Sequence, residues 1–389
     1  MKQLSKIMLA TVASVALAAP AFAWDFGASG SSSAKWMTET TNSGAEGASA
    51  ITSANYSSSS GGVTVSSSNT EGPNSATFSY TADWNGDAGN FDEYVSISGS
   101  KKVGNWTASS STSQYMQKDV TAGAQPMTAG GTAAITLTDG SITYKLGDAA
   151  HLSTAEKTSG GPMGGAQDAE ARLDSFNGFS VGLGVGPGTL TVALDMHSGA
   201  TSDFFGEDMD SDDNSTAGMD TATACGSDTT GFGLNFAGDI GADLTFTYAT
   251  GSSSAKPTCT GDNSSNTTSL TTMGLGVAVP VGGMTIALDY ESTAYAANTL
   301  TVETDKAKSG FEISFTMPVG DATAGVNVSS TTSTVTTDGT AADAAVTGGT
   351  ELWYTVPIGP VSLSIGYGSA AVTDGATTNE MGAEMSMSF

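Results

Sequence analysis

The sequence predicts an all-β fold, an antiparallel β-barrel that crosses a membrane on strands with one apolar face. Three observations predict it. Short runs alternate strictly between apolar and small polar residues, a tight proline–glycine turn recurs between such runs, and long polar stretches separate successive pairs of runs. A period of two is the signature of a strand with one apolar face.

The first element is not part of that fold. Lys2 and Lys6 precede an apolar stretch from Ile7 to Ala19, and Ala21-Phe22-Ala23 is a small-x-small cleavage site. This pattern marks residues 1–23 as a secretory signal peptide, with the barrel domain expected over 24–389. Loss of Lys2 and Lys6 takes the formal charge from −27 to −29, and Arg172 is the one arginine of the chain. A protein without a basic footprint does not neutralise phosphates, so nucleic acid is excluded as a partner. Export also places the two cysteines, Cys225 and Cys259, in an oxidising compartment, where a disulfide is expected.

The turns come next. Val279-Pro280-Val281-Gly282, Met317-Pro318-Val319-Gly320 and Val356-Pro357-Ile358-Gly359 repeat one motif, with looser versions at Gly186-Pro187-Gly188 and Gly238-Asp239-Ile240-Gly241. Proline and glycine preset the dihedrals of a tight turn. Alternation flanks each turn. Met284, Ile286, Leu288 and Tyr290 share one face, and Val361, Leu363, Ile365 and Tyr367 do the same, as do Phe179, Val181, Leu183 and Val185. Asp139-Gly140 is a two-residue hairpin turn between Ile135–Thr138 and Ile142–Gly147. Sixteen strands follow: 24–35, 94–100, 106–116, 135–138, 142–147, 179–186, 189–196, 231–238, 242–250, 271–279, 283–291, 309–317, 322–330, 350–357, 361–369 and 379–389. A further hairpin around Gly61-Gly62 would raise the count to 18.

A soluble β-sandwich would bury the apolar faces of two sheets against each other. Three features favour the barrel. Short turns alternate with long loops, as expected for periplasmic turns and outer loops. Tyr248, Tyr290 and Tyr367 stand at the far ends of strands that leave short turns, where an aromatic girdle is expected. The other face is glycine, serine, threonine and acid, too polar and small for a packed core. A closed barrel of this kind belongs in the bacterial outer membrane, against outer-membrane lipid.

Parity assigns the lining. Lys145, Asp195, Asp243, Asp289, Glu312, Glu351 and Glu384 face away from the apolar side. Six acids against one base favour cations in a pore. Asp203, Glu207, Asp208, Asp210, Asp212 and Asp213 form an acidic outer loop. Asp208, Asp210 and Asp212 start like a calcium loop, but Asp213 and Met219 stand where its glycine and glutamate belong. A solvated loop is the simpler account, with a divalent cation as the only cofactor the sequence suggests. No nucleophile–base arrangement or phosphate-binding loop is found, so no enzyme is expected.

The run from Ala134 to Asp148, Ala-Ile-Thr-Leu-Thr-Asp-Gly-Ser-Ile-Thr-Tyr-Lys-Leu-Gly-Asp, resembles the fourth and fifth strands of the general bacterial porins. The final strand, with Met381, Met385, Met387 and Phe389 on one face, resembles the terminal signature of outer-membrane barrels. That family is a trimeric 16-stranded barrel for passive diffusion of ions and small hydrophilic solutes. The resemblance therefore implies a homotrimer and a third loop folded into the pore over about 148–178. Asp148, His151, Glu156, Lys157, Asp168, Glu170, Arg172 and Asp174 fall in that segment, with Gly160-Gly161-Pro162 and Gly164-Gly165 allowing it to turn. The family sets acids on this loop against wall arginines, and this chain has no second arginine. The readings left open are a surface adhesin-type β protein and a substrate-specific 18-stranded channel.

If Cys225 and Cys259 are joined, alkylation will add mass only after reduction. Full alkylation without reductant would show two free thiols.

Overall fold

A strand placed in hydrocarbon must find partners for every backbone N–H and C=O, which forces the sheet to close on itself. The computed structural model describes residues 25–42, 51–85, 90–117, 131–153, 155–161, 175–199, 227–255, 267–298, 303–341, 344–372 and 376–389. The signal peptide, the acidic outer loop, both cysteines and Asp168, Glu170, Arg172 and Asp174 lie outside the described residues.

Every regular element among the described residues is a strand. In order they are β1 (Asp25–Asn42), β2 (Ile51–Glu71), β3 (Asn74–Asn85), β4 (Asn90–Val103), β5 (Trp106–Gln117), β6 (Gly131–Thr138), β7 (Ile142–Ala150), β8 (Ser175–Val185), β9 (Gly188–Gly199) and β10 (Ser227–Asp239). Then come β11 (Asp243–Ala255), β12 (Thr267–Val281), β13 (Met284–Asn298), β14 (Glu303–Val319), β15 (Ala322–Thr337), β16 (Thr340–Ala341), β17 (Ala345–Ile358), β18 (Val361–Val372) and β19 (Thr377–Ser388). Each pairs with its sequence neighbours, and β1 pairs with both β2 and β19, so the hydrogen-bonded order has no free edge. This is a closed antiparallel β-barrel. The two-residue β16 only folds back on β15 at the Asp338-Gly339 turn, and β15 pairs directly with β17. Among the described residues the wall therefore has 18 strands, the higher of the two counts the sequence allowed and not the 16 it favoured.

The two extra strands are β2 and β3, and their turn is at Gly72 (φ 55°), not at Gly61-Gly62. Gly61 and Gly62 lie inside β2 for another reason. A Cβ on Gly61 would stand 2.6 Å from the Trp84 ring, and one on Gly62 would collide with Asp83. Glycine in a strand marks close approach as often as a bend. Serine and threonine on both faces of β2 hide its period, which is why this hairpin is poorly marked.

The chain falls into two compact units, one of residues up to 32 with 60–139 and 388–389, the other of 33–59 and 140–387. In the first, Phe78 pairs with Ile97 and Tyr80 with Val95 on one face. Hydroxyl pairs Thr64–Thr81 at 2.9 Å and Ser75–Ser100 at 2.8 Å mark the other. Gly30 and Phe389 exchange two backbone hydrogen bonds of 2.8 and 3.0 Å.

In the second unit, the proline–glycine turns hold Gly282, Gly320 and Gly359 at φ 60°, 65° and 61°, a region that side chains disfavour. The apolar face is exposed, carrying Phe179, Leu288, Phe311, Phe315, Leu352, Ile365, Tyr367 and Met381. Tyr144 and Phe179 stack on it across β7 and β8, 6.4 Å between centroids. The buried residues sit on the polar face instead: Asn235, Thr245, Ser314, Asn327 and Glu351 are among the most enclosed side chains. Strands also run further than their alternation. β13 has 15 residues and β14 has 17, against the 9–11 that suffice to cross a bilayer. Tyr248, Tyr290 and Tyr367 consequently stand mid-strand, not at strand ends. Beyond them the strands are rich in serine, threonine and alanine on both faces, so the period of two disappears there.

Candidate functional site: a strap across the polar face

Residues 151–153 and 155–161 follow β7 and run across the polar face of the second unit instead of projecting from it. The strand lasts to Ala150, three residues past the expected boundary, so Asp148 lies on β7 opposite Asn177 and the strap begins at His151. Lys145, expected as a lining base, turns its Nζ to the Ala150 carbonyl at 2.5 Å and secures this corner. His151 is buried. Its Nε2 lies 2.8 Å from the Gly147 carbonyl and its Nδ1 2.8 Å from Ser180 Oγ. The carbonyl only accepts, so Nε2 carries the proton toward it.

Beyond His151 the strap is seated by small residues. Leu152 is buried with Ala193, Ala249 and Leu270, and Tyr295 packs against them. A Cβ on Gly233 would stand 2.7 Å from Leu152 Cδ1, and one on Gly274 would stand 2.8 Å from Ala155 Cβ. Gly276 lies directly beneath the Ala155 carbonyl, where any side chain would collide. Asn235 Nδ2 and Thr247 Oγ1 both donate to the Ser153 carbonyl, at 3.2 and 2.8 Å.

The wall acids hold the second half. Asp289 on β13 accepts the Lys157 N–H at 2.8 Å and the Thr158 N–H at 2.7 Å. Thr158 Oγ1 stands 2.7 Å from Asp289 Oδ2 and 2.8 Å from Glu312 Oε1. Glu312 also accepts from Asn327 Nδ2. Further along, Ser159 N–H donates to Ser314 Oγ at 3.1 Å, and Gly161 N–H donates to Glu351 Oε2 at 2.6 Å. Lys157 Nζ pairs with Asp243 Oδ2 at 3.1 Å, where the half-exposed aspartate limits the gain to about 1 kcal/mol or less.

The electrostatics explain why the strap belongs there. Asp289 and Glu312 are direct cross-strand partners. Like charges directly opposite destabilise a sheet, and burying them is costly unless donors surround them. Asp289 is 5% exposed, Glu312 4%, Glu351 1% and Asp195 2%. The strap's N–H groups and the Thr158 hydroxyl supply charge-assisted hydrogen bonds where water would otherwise have to.

This changes the expected lining. Asp195, Asp289, Glu312 and Glu351 lie on the polar face and are buried. Asp243 is exposed and Glu384 half-buried. Of the expected loop residues, the structure brings His151 and Lys157 onto the wall and leaves Glu156 exposed. The sequence reading missed Thr158, Ser180, Asn235, Thr247, Ser314 and Asn327. Parity puts the five wall residues on the polar face, and Gly233, Gly274 and Gly276 on that face were a legible sign of close approach.

No protein-family model matches the sequence, and no curated protein does. Solved structures do. The anion-selective porin from Comamonas acidovorans superposes with a TM-score of 0.52 at 11% identity, covering 94% of this chain and 100% of that one. The chain has the porin fold. The outer-membrane channel DcaP of Acinetobacter baumannii gives a TM-score of 0.48 at 10% identity, covering 94% of this chain and 97% of that one. OpdL of Pseudomonas aeruginosa gives 0.48 at 11%, covering 93% and 98%. The porin fold is an architecture of the bacterial outer membrane, and the exposed apolar face described above is the face such a wall turns to lipid.

Thr158→Val removes the hydroxyl shared by two buried carboxylates and should destabilise the folded barrel by about 2 kcal/mol. Gly161→Leu should do at least as much, because its Cβ would stand 2.6 Å from Glu351 Oε1 and 2.7 Å from Trp353 Cβ. Both are read as a lower midpoint of thermal unfolding in detergent. Wild-type midpoints for both would mean the strap is not held by these contacts.

Proposed function

We propose that the protein is an outer-membrane porin, a water-filled channel for passive diffusion of ions and small hydrophilic solutes, narrowed by the segment that begins with the strap. The observation that carries this reading is the strap itself. An 18-stranded wall encloses more space than its own side chains fill. The described strap residues, 151–153 and 155–161, are spent on the polar face, and a segment so placed reduces the open cross-section. The reading extends to 1–23 as the export signal and to Asp168, Glu170, Arg172 and Asp174 as further residues of the constriction.

A cation preference belongs to the proposal. The chain carries −27 formal charges with 39 acids against 12 bases, which concentrates cations near its surface. The Comamonas porin is named for anion selectivity, and at 11% identity that property has no residue-level basis for transfer. No enzymatic activity is proposed, and no resident cofactor. A divalent cation on the outer loop around Asp208, Asp210 and Asp212 stays a subsidiary proposal.

A homotrimer is also part of the reading. In the first unit, Ala108 pairs with Leu137 and Ser110 with Ile135, so Ser110, Thr112 and Gln114 share the outer face of β5. All are exposed in the single chain. Polar side chains are unfavourable against hydrocarbon, and a neighbouring copy would cover this arc. One observation favours a second reading. The strand count of 18 departs from the 16-stranded diffusion porins and suits a substrate-specific channel.

Purified protein in a planar bilayer should give discrete conductance steps, and its reversal potential in a KCl gradient should report a cation preference. Absence of steps would remove the channel reading. Steps blocked by one solute class in a saturable way would favour the substrate-specific alternative. In mild detergent the protein should migrate as a heat-dissociable trimer; monomeric mobility unchanged by heating would remove the trimer.

A further inference from the structure

The strap divides the polar wall of the second unit into a covered part and an uncovered part. From β8 to β17 the polar face is sealed, with Ser180, Asp195, Asn235, Asp289, Glu312, Asn327 and Glu351 all buried. Past β17 the sealing stops. Lys35 and Glu39 on β1 and Glu380 and Glu384 on β19 are half-buried.

Cross-strand register shows how these four stand. Glu351 pairs with Gly368, and Gly368 pairs with Glu380, so one row across β17, β18 and β19 reads carboxylate, glycine, carboxylate. The first carboxylate is capped by the Gly161 N–H at 2.6 Å; the second lies beyond the described strap. On the other side, Thr41 and Thr378 hydroxyls lie 3.3 Å apart, and Gly382 sits against the backbone of Met37. Antiparallel counting from these two contacts puts Glu39 opposite Glu380 and Lys35 opposite Glu384. Thr41 Oγ1 donates to Glu39 at 3.2 Å, which orients that carboxylate.

Two acids directly opposite each other weaken a sheet. Beneath the strap the same arrangement, Asp289 with Glu312, is offset by the Lys157 and Thr158 N–H groups on Asp289 and by the Thr158 hydroxyl and the Asn327 amide on Glu312. Glu39 has the Thr41 hydroxyl, and Lys35 stands four positions before it on β1, so mobile cations can supply further counter-charge to this pair. We propose that Glu39 and Glu380, tempered by Lys35 and Glu384, set the ionic selectivity of the channel, and that the acids under the strap do not. This rests on the channel reading above and names the residues that act in it.

Reversal potentials in a KCl gradient test it. The double variant Glu39→Gln/Glu380→Gln should lower the cation-over-anion permeability ratio about threefold or more, and Lys35→Gln should raise it. Glu291→Gln, which alters a buried acid on β13, should leave the ratio unchanged. Thermal midpoints identify any variant that fails to fold, and the opposite signs of the glutamate and lysine variants keep the test decisive. A wild-type protein that does not conduct, or prefers anions, would defeat the underlying reading. A cation-preferring wild type whose ratio is indifferent to the double variant and to Lys35→Gln, or moves equally with Glu291→Gln, would overturn this assignment alone.

Discussion

Hydrocarbon offers no hydrogen bonds, and the rest of the structure depends on that constraint. A sheet with an edge would expose a row of unpaired N–H and C=O groups, each costing several kcal/mol in lipid. Pairing β1 with both β2 and β19 removes the edge. Once the sheet closes, the period of two sorts every side chain to one of two environments. Here the usual order of a soluble protein is inverted. Phe311, Phe315 and Leu352 are exposed, while Asn327 and Glu351 are among the most enclosed groups.

That inversion creates a second problem, which the strap answers. Polar side chains facing an interior cavity need partners, and acids need them most. Water could supply them all. Over β8 to β17 the strap's N–H groups and the Thr158 hydroxyl replace water at Asp289, Glu312 and Glu351, so these acids serve as anchors. A fixed donor loses no solvent reorganisation and stays in place, which stiffens the segment it belongs to.

Much of this was legible in the sequence, for a physical reason. Strands with lipid on one side must alternate, so runs such as Met284 to Tyr290 and Val361 to Tyr367 announce themselves. The proline–glycine turns were equally plain. The β2–β3 hairpin was not, because serine and threonine occupy both faces and leave no period. The upper halves of β13 to β15 were missed for the same reason. Gly147-Asp148 drew attention to the segment that follows β7. Its partners could not be placed. A hydroxyl at Thr158 or an amide at Asn327 looks like any other in a chain so rich in both. Only register tells which of them face the strap.

The strap's contacts also join residues very distant along the chain. Gly161 meets Glu351 across 190 positions, and Lys157 meets Asp289 across 132. Contacts of such separation form late, since the intervening chain must be ordered first. The glycine seat at Gly233, Gly274 and Gly276 does not exist until β10 to β12 have paired. Maturation therefore has a direction: the wall comes first, and the segment settles onto it afterwards. A barrel caught midway would be wider inside than the finished one.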